Sequence, residues 1–180
     1  MNLPNKITVF RFFLIPVFTV IFLMNEPWCN VTALVIFCVA CASDFFDGYI
    51  ARKDHLITDF GKLMDPLADK LLVCLALICF VQVRDNFPCW CAIVIISREF
   101  VISGFRQLAA EKGTIIQAGY WGKAKTVVQM FLCIFYIWDL PYEWFRISES
   151  VLMYSATVLT IISLFDYIIR NRNIIKNASK

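Results

Sequence analysis

Residues 44–69 read DFFDGYIARKDHLITDFGKLMDPLAD, and they join the end of one apolar segment to the start of the next. Asp44 and Asp47 are three residues apart and Asp65 and Asp69 are four apart, so on helices each pair shares one face. Two such helices side by side would point all four carboxylates inward. Acids this close together repel one another unless a cation neutralises them. All-oxygen ligation suits Mg²⁺ or Mn²⁺, and four carboxylates can hold two ions about 4 Å apart. The stretch therefore predicts a site for two divalent metal ions.

The composition around this stretch is that of a membrane protein. The chain has 180 residues, of which 60% are hydrophobic, and its mean hydropathy is +0.70; both exceed the usual range of soluble domains. Six spans of about 20 residues would use most of the length, so we expect a single membrane domain over residues 1–180, with no soluble domain. The apolar segments that predict the spans are Phe10 to Met24, Val31 to Ala51, Pro66 to Val83, Phe87 to Phe105, Tyr120 to Trp138 and Ser150 to Ile169.

The basic residues give these spans an orientation. If the N-terminus is cytoplasmic, all 17 Lys and Arg residues except Arg84 and Arg146 lie on that side or at that end of a helix. This asymmetry follows the positive-inside rule. The fold predicted is thus all-α and integral to the membrane, with six transmembrane helices, a short N-terminal interfacial helix and both termini cytoplasmic. Five aromatic residues fall near the opposite interface, as an aromatic belt would: Trp28, Trp90, Trp138, Tyr142 and Trp144.

Small residues accompany the acids. Gly48 and Ala51 follow Asp44 on the same helix face, and Gly61 precedes Asp65. They either allow a ligand to approach the backbone closely or serve helix packing in the membrane. Arg52 has two interpretations as well, since its planar fork can pair with diphosphate oxygens or anchor the helix at the cytoplasmic interface.

The complete pattern, Asp44-x2-Asp47-Gly48-x2-Ala51-Arg52-x8-Gly61-x3-Asp65-x3-Asp69, resembles the signature of the CDP-alcohol phosphotransferase family at every defining residue and gap. The resemblance implies a six-helix membrane domain, usually dimeric, that uses two divalent metals. It makes Asp44, Asp47, Asp65 and Asp69 the metal ligands and Asp69 also the general base. The residues implied to seat the CDP group include Asp47, Gly48, Ala51, Arg52 and Gly61.

Three further segments are similar to the phosphatidylglycerophosphate synthase branch of that family: residues 3–11, residues 97–106 and residues 122–126. This branch implies transfer of a phosphatidyl group from CDP-diacylglycerol to glycerol 3-phosphate with release of CMP, in a bacterial inner membrane, by a homodimer in contact with membrane lipids and with no nucleic acid as partner. Asn5 and Thr8 recur with Arg11 at three-residue intervals. That face either closes the nucleotide site, as the resemblance favours, or anchors an interfacial helix.

A phosphorylated acceptor needs cations beyond those that bind the diphosphate. Arg98 is informative because an unpaired guanidinium inside an apolar helix is costly. Its alternative role is an ion pair with Glu99 or a neighbouring helix, although adjacent helical residues point about 100° apart. Arg106 is equally explained as an interfacial charge. The residues predicted to contact the acceptor phosphate are Arg98, Arg106, Lys123 and Lys125, the last two on the strength of the resemblance.

Two other functions fit parts of the pattern. The same chemistry could use another acceptor, such as inositol phosphate, serine or a second phosphatidylglycerol, and the cations by themselves do not separate glycerol 3-phosphate from inositol phosphate. A cation transporter could use the acids as its ion site. Transporters of that kind carry internal repeats and midplane sites, whereas this chain shows no repeat and places its acids toward the helix ends.

Overall fold

The computed structural model describes the backbone of residues 3–53, 59–111 and 119–172, and the side chains of residues 9–43, 67, 68, 70–110 and 119–172. Within these ranges the regular structure is entirely helical. The six helices are α1 (Leu3–Leu23), α2 (Pro27–Lys53), α3 (Asp59–Val83), α4 (Cys89–Glu111), α5 (Tyr120–Trp138) and α6 (Glu143–Arg170).

These bounds confirm the predicted six helices and correct the prediction for the N-terminal residues. The range of α5 is the predicted one, whereas α2, α3, α4 and α6 extend beyond their apolar segments by turns that carry charged or polar residues. The short N-terminal interfacial helix that the sequence predicts is not a separate element of the structure. Residues 5, 8 and 11 lie in the opening turns of α1, which continues without a break to Leu23, because no glycine or proline interrupts the segment between Pro4 and the apolar stretch. Pro4 itself stands in the first turn, where its missing N–H costs nothing.

The chain divides into two compact units, Met1–Asp85 with Tyr136–Asp139 and Asn86–Phe135 with Leu140–Lys180. In the first unit α1 packs against α2 and α3. Its core is a chain of aromatic rings with centroids 5.3–5.9 Å apart, within the range of favourable ring pairs: Phe37, Phe18, Phe22, Phe80 and Tyr136. The second unit is built on the contact of α4 with α6, and Phe135 stacks on Phe145 with centroids 4.7 Å apart.

The described helices expose many large apolar side chains and bury a few charged ones. Phe13 is 70% exposed and Ile147 is 65% exposed, while Arg11, Lys125 and Glu149 are buried. In soluble proteins Lys, Arg and Glu are almost never fully buried unless paired, and large apolar patches are rarely exposed. Exposed apolar side chains of this size are what a helix in contact with lipid requires, so the distribution is compatible with the predicted membrane domain.

One described helix, α6, is long and apolar enough by length and composition to cross a membrane. Shorter apolar stretches occur in three other helices, at Val9–Leu23, Pro27–Ser43 and Lys70–Val83. Six membrane spans, the cytoplasmic termini and the single-domain organisation therefore stay predictions.

The five aromatic residues predicted to form an interfacial belt lie at helix ends. Trp28, Trp90 and Trp144 are each the second residue of a helix, Trp138 is the last residue of α5, and Tyr142 directly precedes α6. All five side chains are exposed. An interfacial belt requires exposed aromatic residues at such positions.

In the first unit, two helix ends converge on one guanidinium. Asn25 follows α1 and Asp139 follows α5, and both have positive φ (52° and 47°), which Asn and Asp tolerate better than most residues. Arg84 Nη1 donates to Asn25 Oδ1 at 3.0 Å and forms an ion pair with Asp139 Oδ2 at 2.8 Å. Arg84 Nε donates to the Tyr136 carbonyl at 3.1 Å, and the guanidinium lies 5.1 Å from the centre of the Phe22 ring. We call this arrangement the Arg84 clamp. Asn25 and Asp139 have a backbone conformation that favours glycine, but glycine would lack the side-chain oxygens that bind Arg84.

Arg84→Met is expected to lower the free energy of unfolding by about 3 kcal/mol, since it leaves Asp139 and Asn25 without their buried cation. Arg146→Met is the matched control, because Arg146 is the other arginine predicted on that side and is exposed on α6. Unfolding of the purified protein in mixed detergent micelles, followed by circular dichroism, measures both. Equal midpoints for the two variants would show that the Arg84 clamp contributes little.

Candidate active site

The four aspartates of the signature lie on two helices of the first unit. Asp44 and Asp47 belong to the last turns of α2, and Asp65 and Asp69 to the first turns of α3. The helical backbone at both places agrees with the spacing on which the metal prediction rests. α2 and α3 contact each other within this unit, so the acids are carried by the consecutive ends of two packed helices.

The side chains of these acids lie outside the described residues, as do those of the other residues predicted to bind CDP: Asn5, Thr8, Gly48, Ala51, Arg52 and Gly61. Among the side chains that are described, no group of three or more potential ligands is close enough to hold a metal ion. The donor set that the sequence supplies is four carboxylates, which suits a hard divalent ion.

Arg11 continues the face of Asn5 and Thr8 and is described. Its side chain is fully buried in the first unit, although it was counted among the basic residues at a membrane interface. A buried guanidinium must be compensated by other protein groups. Simple anchoring in water therefore does not explain Arg11.

In the second unit a carboxylate joins two of the predicted acceptor-binding cations. Glu99 Oε1 accepts from Arg98 Nη1 at 2.9 Å and forms an ion pair with Lys125 Nζ. Arg98 Nε donates to Ser163 Oγ at 3.1 Å. These four residues, from α4, α5 and α6, are the Glu99 cluster. The expectation that residues 98 and 99 do not face each other was wrong, because the long arginine side chain bends back to the neighbouring carboxylate.

The cluster leaves part of the Arg98 guanidinium available. Nη2 makes no hydrogen bond to any residue that the structure describes, and it faces Gly122, where an added Cβ would lie 3.7 Å from it. A larger residue at position 122 would occupy the space beside Nη2. Arg98 is thus held at two of its nitrogens, while the third forms no hydrogen bond to the described residues and could donate to an oxyanion.

Of the other two predicted cations, Lys123 and Arg106 are both exposed. Lys125 is buried although it stands only two residues from Lys123, because two residues on a helix are about 200° apart. Among the described residues Lys123 forms no ion pair. The structure therefore brings Arg98 and Lys125 together and leaves Lys123 outside the Glu99 cluster.

Comparison with known proteins places the chain in a family. The model of the CDP-alcohol phosphatidyltransferase family matches residues 1–162. The chain belongs to this family. The family predicted from the signature is confirmed.

Similar proteins of this family extend over nearly the whole chain. A CDP-diacylglycerol–glycerol-3-phosphate 3-phosphatidyltransferase from Bacillus subtilis (strain 168) is 38% identical over 192 residues, covering 99% of each chain. A protein of the same name from Escherichia coli (strain K12) is 36% identical over 173 residues, covering 93% of each. The similarity therefore includes α4, α5 and most of α6 as well as the signature.

The sequence analysis did not identify the buried polar residues of α6 as candidates for the site. Thr157, Thr160, Ser163 and Tyr167 are all buried, and they recur at spacings of three and four residues. Polar residues at helical spacing inside an apolar span indicate a face turned toward protein rather than lipid. That periodicity could have drawn attention to Ser163 and Tyr167. Glu99 had been considered only as a competing partner of Arg98.

Proposed function

We propose that this chain is an enzyme that transfers the phosphatidyl group of CDP-diacylglycerol to glycerol 3-phosphate and releases CMP. The observation that carries the proposal is the complete aspartate signature on the packed helices α2 and α3 in a chain whose family is established over residues 1–162. Relatives that match nearly end to end bear the name of this activity. They support glycerol 3-phosphate over inositol phosphate or serine as the acceptor.

The nucleotide of CDP-diacylglycerol binds to the residues of the signature in this proposal. Arg52 pairs with the diphosphate, and the small residues of α2 and α3 let the cytidine and ribose approach the backbone. The set assigned to CDP is Asn5, Thr8, Asp47, Gly48, Ala51, Arg52 and Gly61.

Two divalent ions, Mg²⁺ or Mn²⁺, are assigned to Asp44, Asp47, Asp65 and Asp69. Such ions offset the charge of the diphosphate and of the departing CMP. The same four acids without a cation would repel one another and take up protons, so the donor set fits the ions that the family implies.

The phosphate of the acceptor is assigned to Arg98, Arg106, Lys123 and Lys125. Glu99 and Ser163 hold Arg98 with its Nη2 on the side of Gly122, and Lys125 pairs with the same Glu99. Fixed donors bind an anion with less loss of side-chain entropy than mobile ones. Arg106 and Lys123, which are exposed, add positive charge at longer range.

The reaction is a direct displacement. Asp69 accepts the proton of a primary hydroxyl of glycerol 3-phosphate, and that oxygen attacks the phosphorus that carries the diacylglycerol. A new P–O bond forms as the bond to CMP breaks, and CMP leaves with the electron pair. No covalent enzyme intermediate is needed, and the net result is phosphatidylglycerophosphate and CMP.

The enzyme is proposed to span a bacterial inner membrane with both termini and the active site on the cytoplasmic side. The exposed apolar and buried charged side chains of the described helices support a membrane environment, and the charge asymmetry of the sequence supports the orientation. The acyl chains of CDP-diacylglycerol then stay in the bilayer while its headgroup reaches the site. A homodimer is expected from the family.

The test is CMP release by the purified protein in detergent with CDP-diacylglycerol and Mg²⁺. Parallel reactions contain glycerol 3-phosphate, inositol phosphate, serine or no acceptor. We expect release only with glycerol 3-phosphate, and none when EDTA removes the metal. Release with inositol phosphate or serine would overturn the acceptor, and release that withstands EDTA would overturn the metal assignment.

A further inference from the structure

A buried tyrosine of α6 stands one turn after Ser163 of the Glu99 cluster. Tyr167 of α6 is only 7% exposed. Its Oη is enclosed and makes no hydrogen bond to any residue in the described part of the chain. Burying a hydroxyl without a partner costs about 1–3 kcal/mol, and phenylalanine would fill the same space without that cost.

The surroundings of this hydroxyl are positive. The guanidinium groups of Arg98 and Arg106 both interact with it electrostatically. Ser163, one turn earlier on the same face of α6, accepts the hydrogen bond from Arg98 Nε. Arginine offers only donors, so neither guanidinium has a proton acceptor for the Tyr167 O–H. Among the described residues nothing accepts from the Tyr167 O–H, and an anionic acceptor suits a hydroxyl near two guanidinium groups.

We propose that Tyr167 donates a hydrogen bond to a phosphate oxygen of the acceptor substrate, next to Arg98. The inference rests on the proposed function, to which it adds a binding residue. Because the hydroxyl is enclosed, the side chains that cover it must move as the phosphate enters. The unsatisfied hydroxyl then gains its partner only in the complex, so the interaction favours the bound state.

Tyr167→Phe isolates the hydroxyl, and Tyr154→Phe is its matched control. Tyr154 lies on the same helix and is exposed. For Tyr167→Phe we expect the KM for glycerol 3-phosphate to rise about tenfold, as for loss of a hydrogen bond to a charged group. The KM for CDP-diacylglycerol should not change, and kcat should stay within about twofold.

Thermal unfolding separates binding from structure. Without substrate, the Tm of Tyr167→Phe should equal or exceed that of the wild type, because the variant removes an unsatisfied buried group. Glycerol 3-phosphate should raise the Tm of the wild type and of Tyr154→Phe, and it should raise that of Tyr167→Phe much less.

Three results would overturn the proposal. The first is an unchanged KM for glycerol 3-phosphate in an active Tyr167→Phe enzyme. The second is a lower Tm or failure to fold without substrate, which would assign the hydroxyl a structural role. The third is a rise in the KM for CDP-diacylglycerol instead, which would assign it to the diphosphate. If the wild type releases no CMP with glycerol 3-phosphate, the proposed function fails, and the Tm shift with that compound alone still decides whether Tyr167 binds it.

Discussion

Asp69→Asn is expected to lower glycerol 3-phosphate-dependent CMP release by about a thousandfold or more. The amide cannot accept the proton of the attacking hydroxyl, and general base catalysis alone contributes about 10²–10⁴. Asparagine also lacks the charge of the carboxylate assigned to the metal ions. Initial rates at saturating CDP-diacylglycerol and Mg²⁺ measure the effect.

Asp85→Asn is the matched control for this variant. Asp85 is the exposed residue two positions after α3, so the same chemical change is made at the other end of the helix that carries Asp69. It should leave the rate within about twofold. An Asp69→Asn enzyme that kept a tenth of the wild-type rate would exclude Asp69 as the base.

Glu99→Gln is expected to combine the largest loss of stability with weak acceptor binding. The side chain of Lys125 is only 2% exposed and that of Glu99 only 16%, and breaking a buried ion pair by neutralising one partner costs about 3–5 kcal/mol. Arg98 and Lys125 would also lose the carboxylate that fixes them, so the KM for glycerol 3-phosphate should rise at least about tenfold. Unfolding midpoints and initial rates of the same preparation give both quantities.

The double variant Glu99→Gln, Lys125→Met separates these two effects. Removing both charges should restore part of the stability, since the buried Lys125 no longer lacks its carboxylate, while Arg98 keeps only its hydrogen bond to Ser163. It should not restore acceptor binding, because Lys125 is itself assigned to the phosphate. Glu143→Gln, an exposed acid in the first turn of α6, is the control and should cost less than about 1 kcal/mol. A double variant as unstable as Glu99→Gln would contradict the ion-pair explanation.

The sequence sufficed for the number of helices and for the family because both depend on local pattern. The apolar segments predicted six helices. The spacing of the aspartates between Asp44 and Asp69 indicates a shared helix face for each pair from helical periodicity alone. The prediction of a short helix before the first apolar segment was wrong. A change from polar to apolar residues looks like a boundary between helices, but α1 continues across it from Leu3 to Leu23.

The partners of Arg98 could not be predicted in the same way. Its contacts with Glu99 and Ser163 depend on side-chain rotamers and on which faces of α4 and α6 meet, with Ser163 lying 65 residues away in the chain. Neighbouring residues on a helix point about 100° apart, which argued against a contact between Arg98 and Glu99. The arginine side chain is nevertheless long enough to reach the carboxylate. Lys123 and Lys125 carry the same charge in the sequence, and only packing distinguishes the buried one from the exposed one.

The Arg84 clamp also bears on biosynthesis. Arg84 leaves the ribosome 52 residues before Tyr136, so a nascent chain that ends within α4 has Asn25 and Phe22 in place but neither the Tyr136 carbonyl nor Asp139. The first unit is therefore completed by residues made after most of the second. Chains that stop before Asp139 therefore contain Arg84 without its carboxylate.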